Sequence, residues 1–245
     1  MRYFLHRKSN RKTGFTLVEL LVVIGIIALL ISILLPSLSK AKKSALKVKC
    51  AANLHNLGLS LQTYCSENRG KLPNLLDLAT VAPGAWLWDY PIVDRDPLVA
   101  TGAARATLYC PFFPAQDQDG LWNYNASYSV LGYFMLIDRG GKKPNGYPTL
   151  TARAYQKTLA LPEPVPNLDP VSSAEIELVT DAVLSQGGLF GGIKGGFAMP
   201  HQTSHRGTNG KPEGGNILFM DGHADWRGFD KMQVRAVLGA TSFWF

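Results

Sequence analysis

Charge is nearly absent from one stretch of this 245-residue chain: between Phe15 and Leu35 the only ionisable side chain is Glu19. A helix needs roughly 20 apolar residues to cross a bilayer, so the stretch is long enough to span one. No Ala-x-Ala follows it, and it exceeds the roughly 7–15 apolar residues of an ordinary secretory signal, which argues against that class. The preceding residues hold no twin-arginine pair. No Gly-x-Ser-x-Gly elbow is present, so the commonest serine-hydrolase signature is missing. The glycine-rich run Gly187–Gly196 lacks the Gly-Lys-Ser/Thr ending of a phosphate-cradling loop and reads as a flexible loop. Cysteine is scarce, with three residues, enough for one disulfide and one leftover thiol.

Basic charge is also missing from most of the chain, despite a formal net charge of +7. Arg2, Arg7, Lys8, Arg11 and Lys12 precede the apolar stretch, and Lys40, Lys42, Lys43, Lys47 and Lys49 follow it. From Cys50 onward fifteen basic residues face seventeen acidic ones. A nucleic-acid partner is not expected, because DNA binders carry a clustered basic face. The five lysines suit anionic lipid headgroups, at about 1 kcal/mol each. With five basic residues at either end, the positive-inside rule leaves orientation undecided.

The apolar stretch begins at a sharp junction, Lys12-Thr13-Gly14-Phe15-Thr16-Leu17-Val18-Glu19. A charge at the centre of a membrane helix costs about 2.5–3.5 kcal/mol on insertion scales, so Glu19 is either functional or shallow. Both readings stand, because the residue lies about 6 Å along a helix from Phe15. Residues 8 to 36 resemble the processing site of type IV prepilins and type II secretion pseudopilins. The resemblance implies cleavage after Gly14 by a prepilin peptidase and N-methylation of the new terminus, Phe15. It implies that Glu19 pairs with the free amine of a neighbouring pilin or pseudopilin subunit during assembly. Pairing is physically sensible, since two charges in hydrocarbon offset one another. It also implies a single-pass protein of the cell inner membrane whose globular domain is extracytoplasmic, in the periplasm or at the cell surface.

Periodicity extends the helix past the membrane. Leu46, Cys50, Leu54, Leu57, Leu61 and Tyr64 recur at a 3.6-residue period, with Lys47, Lys49, Asn56 and Glu67 off the stripe. Gly70 offers a left-handed cap and Pro73 follows. The expectation is one helix from about Phe15 to Arg69, kinked near Pro36. The chain divides into a leader (1–14), a transmembrane or filament-core helix (15–36), an amphipathic helical half (37–72) and a globular β-rich domain (73–245). Strands are expected at Tyr128–Ile137, at Glu175–Asp181, and at Asn216–Met220 paired with His223–Trp226. Asp221-Gly222 between the last two reads as a hairpin turn with positive φ at both residues. Apolar residues on both faces of 217–220 suggest a central strand with one face against the long helix. Leu161–Pro166 reads as an extended proline-rich loop. The fold class is α+β: a long N-terminal helix packed on an antiparallel sheet with long loops.

The second half resembles a large subgroup of pilin-like proteins through Cys50-Ala51-Ala52-Asn53-Leu54, Tyr64, Gly70-Lys71-Leu72-Pro73, Tyr109-Cys110-Pro111 and a terminal segment from His205 through Gly214-Gly215-Asn216 to His223. In that subgroup nine residues separate the histidine from Asp-Gly. Here fifteen do, because Arg206–Glu213 looks inserted, which puts a shared role for His205 in doubt.

Cys50 and Cys65 lie about 22 Å apart on one helix and cannot pair, since a disulfide needs Cα atoms within about 7 Å. The candidates are Cys50–Cys110 and Cys65–Cys110, against three buried thiols. His201, His205, Asp221, His223 and Asp225 invite a metal reading. Asp221, Asp225 and His223 are the candidate ligands; oxygen ligands with loop geometry suit Ca2+, and some major pseudopilins hold calcium in a C-terminal loop. Zinc is the alternative, and the plain reading is a turn aspartate with polar loop histidines, without a cofactor.

Two function classes remain. One is a structural filament subunit of a type II secretion-like or type IV pilus-like machine, without catalysis. The other is a membrane-anchored extracytoplasmic domain, binding carbohydrate through Trp86, Trp88, Trp122 and Trp226, although aromatics are more often core, or carrying an enzyme site such as Ser204, His205 and Asp221, a set that any chain of this size allows. The filament reading is the stronger, and the size of the globular part points to a minor or specialised subunit.

Overall fold

A computed structural model describes residues 15–70, 72–73, 75, 86–137, 173–195, 200–238 and 240–245. The leader, the proline-rich run at 161–166 and Gly196 lie outside them. The chain forms two compact units, residues 1–45 and 46–245.

Helix α1 runs from Leu17 to Glu67, 51 residues and about 75 Å. In the first unit every large apolar side chain from Phe15 to Leu38 is at least 46% exposed. An apolar surface that continuous marks a membrane or partner contact. The helix is long and apolar enough to cross a membrane. Pro36 sits inside it without ending it. Within the second unit α1 buries Cys50, Leu54, Leu57 and Leu61, the stripe read from periodicity, widened by Asn53, Gly58 and Ser60. Burial of each leucine contributes about 1.5–3 kcal/mol. The helix ends as its composition suggests: Arg69 and Gly70 take positive φ (58° and 76°), and the Gly70 N–H donates to the Cys65 carbonyl at 2.7 Å.

The domain is antiparallel β with short helices. Strand β1 (Asp89–Pro91) pairs with β2 (Tyr128–Val130), and the chain between them forms α2 (Ile92–Ala100), directly after β1, and α3 (Asp119–Trp122), before β2. The central sheet has the order β3-β4-β8-β9, from β3 (Tyr133–Met135), β4 (Glu177–Asp181), β8 (Gly214–Phe219) and β9 (Ala224–Gly228). Strands β10 (Val234–Leu238), β11 (Thr241–Trp244) and β5 (Leu184–Gln186) form a second sheet, and β6 (Gly191–Ile193) pairs with β7 (His201–Gln202). Strand β8 is central, and Gly58 lets α1 approach it: a Cβ there would sit 2.9 Å from Leu218 Cδ1.

The run Tyr133–Ile137 shows why the sequence reads as unbroken apolar. Tyr133, Met135 and Ile137 enter the core shared with α1, while Phe134 and Leu136 enter a second core with Trp88, Leu184 and Phe243. Successive residues of a strand point to opposite faces, and both faces here are buried.

Two expectations are corrected in detail. The strand expected over Tyr128–Ile137 is two strands, broken at Leu131-Gly132, where the backbone turns to donate to Trp88 and Leu108 carbonyls. Gly132 permits this, since a Cβ would lie 2.6 Å from Tyr109 Cα. The Asp221-Gly222 hairpin also differs: only Gly222 has positive φ (93°). The Gly222 N–H donates to Phe219 O at 3.0 Å and the Phe219 N–H to His223 O at 2.9 Å. This is a type I turn followed by a left-handed glycine, a longer loop than the two-residue form.

His201, 3% exposed, lies in the second core with its ring centroid 4.6 Å from that of Trp88, and its Nδ1 has no hydrogen-bond partner. Burial pushes its pKa down to about 4. Unfolding exposes a ring that binds a proton near 6.5, so between pH 6.5 and 4 the unfolded chain holds more protons and stability is lost as the pH is lowered. The loss amounts to about 3 kcal/mol at most. Chemical denaturation of the detergent-solubilised chain at pH 7 and pH 4.5 is expected to show this slope, and His201→Phe to flatten it; equal slopes in both proteins refute the assignment.

Candidate functional site

Two places carry chemistry, one in each unit. At the amino-terminal one, Thr16 and Glu19 form a reciprocal cap on α1. The Thr16 backbone N–H donates to Glu19 Oε2 at 2.8 Å, the Thr16 hydroxyl donates to the same oxygen at 2.6 Å, and the Glu19 N–H donates back to Thr16 Oγ1 at 3.3 Å. The sequence Thr-x-x-Glu before an apolar run is the capping-box pattern, a local signal that resemblance to a processing site overshadowed. Glu19 thus closes the helix start, with Phe15 exposed one residue before the cap. Gly14 lies outside the described residues.

The second place is a fully buried cluster drawn from four remote segments. Cys50 comes from α1, Cys110 from the loop after a short 3-10 turn, Asp181 from the end of β4 and His205 from the loop before β8. Their ligand atoms all lie within 4.8 Å of one another. Cys50 Sγ is 3.2 Å from Cys110 Sγ and 2.8 Å from Asp181 Oδ1, and the Tyr133 hydroxyl is 3.4 Å from Cys50 Sγ. The His205 Nε2–H donates to Asp181 Oδ2 at 2.8 Å, with Cys110 Sγ 3.6 Å from the same nitrogen. Burial pushes the Cys50 thiol well above its usual range. Burial alone would push His205 down, but the adjacent Asp181 carboxylate outweighs it and raises the imidazole to about 10. Burial likewise opposes ionisation of Asp181, and the His205 charge overcomes it, holding the carboxyl below its usual range.

The glycine-rich terminal segment builds this cluster. The Asn216 N–H and Nδ2 both donate to Asp181 Oδ2, at 2.7 and 2.9 Å. Gly215 lets β8 lie against Asp181, since a Cβ would come within 3.0 Å of the Asp181 Cβ. The inserted loop Arg206–Glu213 closes on itself: Gly207 N–H donates to Lys211 O, and Glu213 N–H returns to His205 O at 3.0 Å. The insertion therefore leaves His205 beside the start of β8. Phe112 and Trp226 hold its ring, at centroid separations of 4.2 and 5.1 Å.

Of the residues singled out from sequence, Cys110 meets Cys50 and not Cys65; all three are free cysteines, with Cys65 half-buried. Asp221 and His223 pair with each other across the exposed hairpin turn at 2.5 Å. Asp225 is on β9, its Oδ1 accepting from the Trp226 N–H, so the three do not converge. His205 takes Asp181 as its carboxylate partner, which dismantles the Ser204–His205–Asp221 set. Trp88 is core, 2% exposed, which takes it out of any carbohydrate-binding surface. Trp86 stacks on it at 5.3 Å, and Lys47 and Arg95 cover the Trp226 and Trp122 rings. Sequence reading placed Asp181 only as the end of an expected strand and took Cys110 and His205 separately. The four residues share no local spacing, so only their opposed placement on helix and sheet joins them.

Comparison with known proteins matches residues 9–35 to the prokaryotic N-terminal methylation motif. Among curated proteins, the ComG operon protein 3 homolog of Bacillus licheniformis is 34% identical over 65 residues, covering 26% of this chain and 67% of that protein. No solved structure matches.

Proposed function

The chain belongs to the type IV pilin-like proteins that carry the prokaryotic N-terminal methylation motif, and from that premise we propose that it is a processed, non-catalytic subunit of a type II secretion-like or type IV pilus-like filament. In this reading prepilin peptidase cuts between Gly14 and Phe15, and the Phe15 amine is methylated. The exposed apolar length of α1 rests in the inner membrane before assembly and against other pilin or pseudopilin subunits afterwards. Residues 46–245 are displayed outside the cytoplasm, as a minor or specialised subunit. Neither a cofactor at Asp221, His223 and Asp225 nor a nucleic-acid partner is part of this reading. The observation that carries it is the junction itself: a cleavage-type glycine, a capped helix start at Thr16–Glu19, and an uninterrupted apolar surface behind it.

Mass spectrometry of the native amino terminus tests it. N-methyl-phenylalanine at Phe15 is expected, and Gly14→Val is expected to leave the leader attached. A wild-type protein retaining Met1 in its native membrane overturns the processing step and favours a plain anchor.

A further inference from the structure

Cys50, Cys110, Asp181 and His205 are 0%, 1%, 0% and 0% exposed, and they present two sulfurs, a carboxylate oxygen and an imidazole nitrogen to one point. Hydrogen bonding alone leaves this set poorly served. The single Cys50 S–H is shared between Cys110 Sγ and Asp181 Oδ1, and the one Nε2–H of His205 is directed to Asp181 with Cys110 Sγ 3.6 Å from the same nitrogen. A cation at the centre serves all four lone pairs at once.

We propose that these four residues form a closed structural zinc site. Thiolate, imidazole and carboxylate in a tetrahedral arrangement are the donor set zinc takes, whereas calcium requires six or more oxygens. A tetrahedron with zinc–sulfur and zinc–nitrogen legs of ordinary length has edges of about 3.3–3.8 Å. The observed separations are 3.2 Å between sulfurs, 2.8 Å from Cys50 to Asp181 and 3.6 Å from Cys110 to His205, with no pair of ligand atoms beyond 4.8 Å, so they bracket those edges.

The surroundings are arranged for a ligand set. Asn216 holds Asp181 Oδ2 through two N–H donors, which orients Oδ1 toward the sulfurs as a monodentate ligand. His205 adopts φ +50°, a left-handed backbone that a non-glycine residue holds only where its surroundings impose it. Phe112 and Trp226 clamp its ring. Binding moves the two thiol protons and one imidazolium proton to solvent, leaving two thiolates, a carboxylate and a neutral imidazole on the metal. Such a site fastens α1 to β4, to the Tyr109–Pro111 loop and to the start of β8. Among the described residues the burial leaves no open coordination position, so the role is structural.

The competing chemistry is oxidation of the same two thiols to a Cys50–Cys110 disulfide, which removes both sulfur ligands. Thiols are trapped with N-ethylmaleimide in native membranes before lysis, and peptide mapping then reads which cysteines reacted. The detergent-solubilised full chain, purified under non-chelating conditions, is analysed for metal. About one zinc ion per chain is expected, falling to background in Cys50→Ser and Asp181→Ala and retained in Cys65→Ser. Because those variants are core substitutions, the wild-type chain is also stripped and refilled with Co2+. Sulfur-to-cobalt charge-transfer bands and tetrahedral d–d bands are expected from thiolate ligation. A Cys50–Cys110 disulfide in the trapped native protein, or a wild-type chain that neither holds zinc nor gives the cobalt spectrum, overturns the proposal.

Discussion

Glu19→Gln is expected to leave cleavage at Gly14–Phe15 intact and to reduce incorporation into filaments by at least about tenfold, a difference of about 1.4 kcal/mol. Glutamine at this position preserves the cap, because a capping box accepts glutamate or glutamine three residues into the helix. The substitution therefore removes the charge and little else. Glu19→Ala removes both, and Thr16→Ala removes the reciprocal hydroxyl while keeping the charge. Loss of a cap costs about 1 kcal/mol, less than removal of the charge, so Thr16→Ala is expected to lose less incorporation than Glu19→Gln. Quantifying filament-associated against membrane-associated protein for the three variants separates the roles. Normal incorporation of Glu19→Gln removes the charge-pairing idea and leaves Glu19 as a helix cap alone.

Gly214→Ala is the substitution expected to damage the domain most. Gly214 has φ +144°, and a Cβ there would lie 2.2 Å from the Arg227 carbonyl oxygen and 2.8 Å from Trp226 Cζ2. The backbone oxygen belongs to β9, paired directly opposite, and moving it breaks the register that places Asn216 against Asp181. Strain of about 1–3 kcal/mol adds to overpacking of about 1–3 kcal/mol. At roughly 2–4 °C per kcal/mol for a domain of this size, the thermal midpoint is expected to fall by about 10 °C. Gly210→Ala is the matched control: its φ is +78°, but a Cβ meets nothing within 4 Å. A small loss there and a large one at Gly214 identifies the strand contact as the cause. Equal losses at the two positions would leave backbone conformation as the whole explanation.

The parts legible in sequence share one physical property, that their cause is local. The apolar length behind Phe15 follows from composition, and the stripe from Leu46 to Tyr64 follows from helical period. The Gly70 terminus follows from the conformational freedom of glycine, and β8 as a central strand follows from apolar residues on both faces. The tryptophans were harder to place, because an aromatic side chain looks the same in sequence whether it meets solvent or Phe243. The turn at Asp221-Gly222 was recognisable, but its loop length was set by pairing of Leu218 with Ala224.

The sequence by itself determined a membrane-length apolar helix, its cap, its buried stripe and the family to which they belong, because each depends on residues a few positions apart. Only the tertiary structure decided which cysteine meets Cys110, which carboxylate meets His205, and that a glycine pair and an asparagine serve Asp181. Those neighbours are brought together by a helix crossing a sheet, and sequence separation carries no record of that crossing.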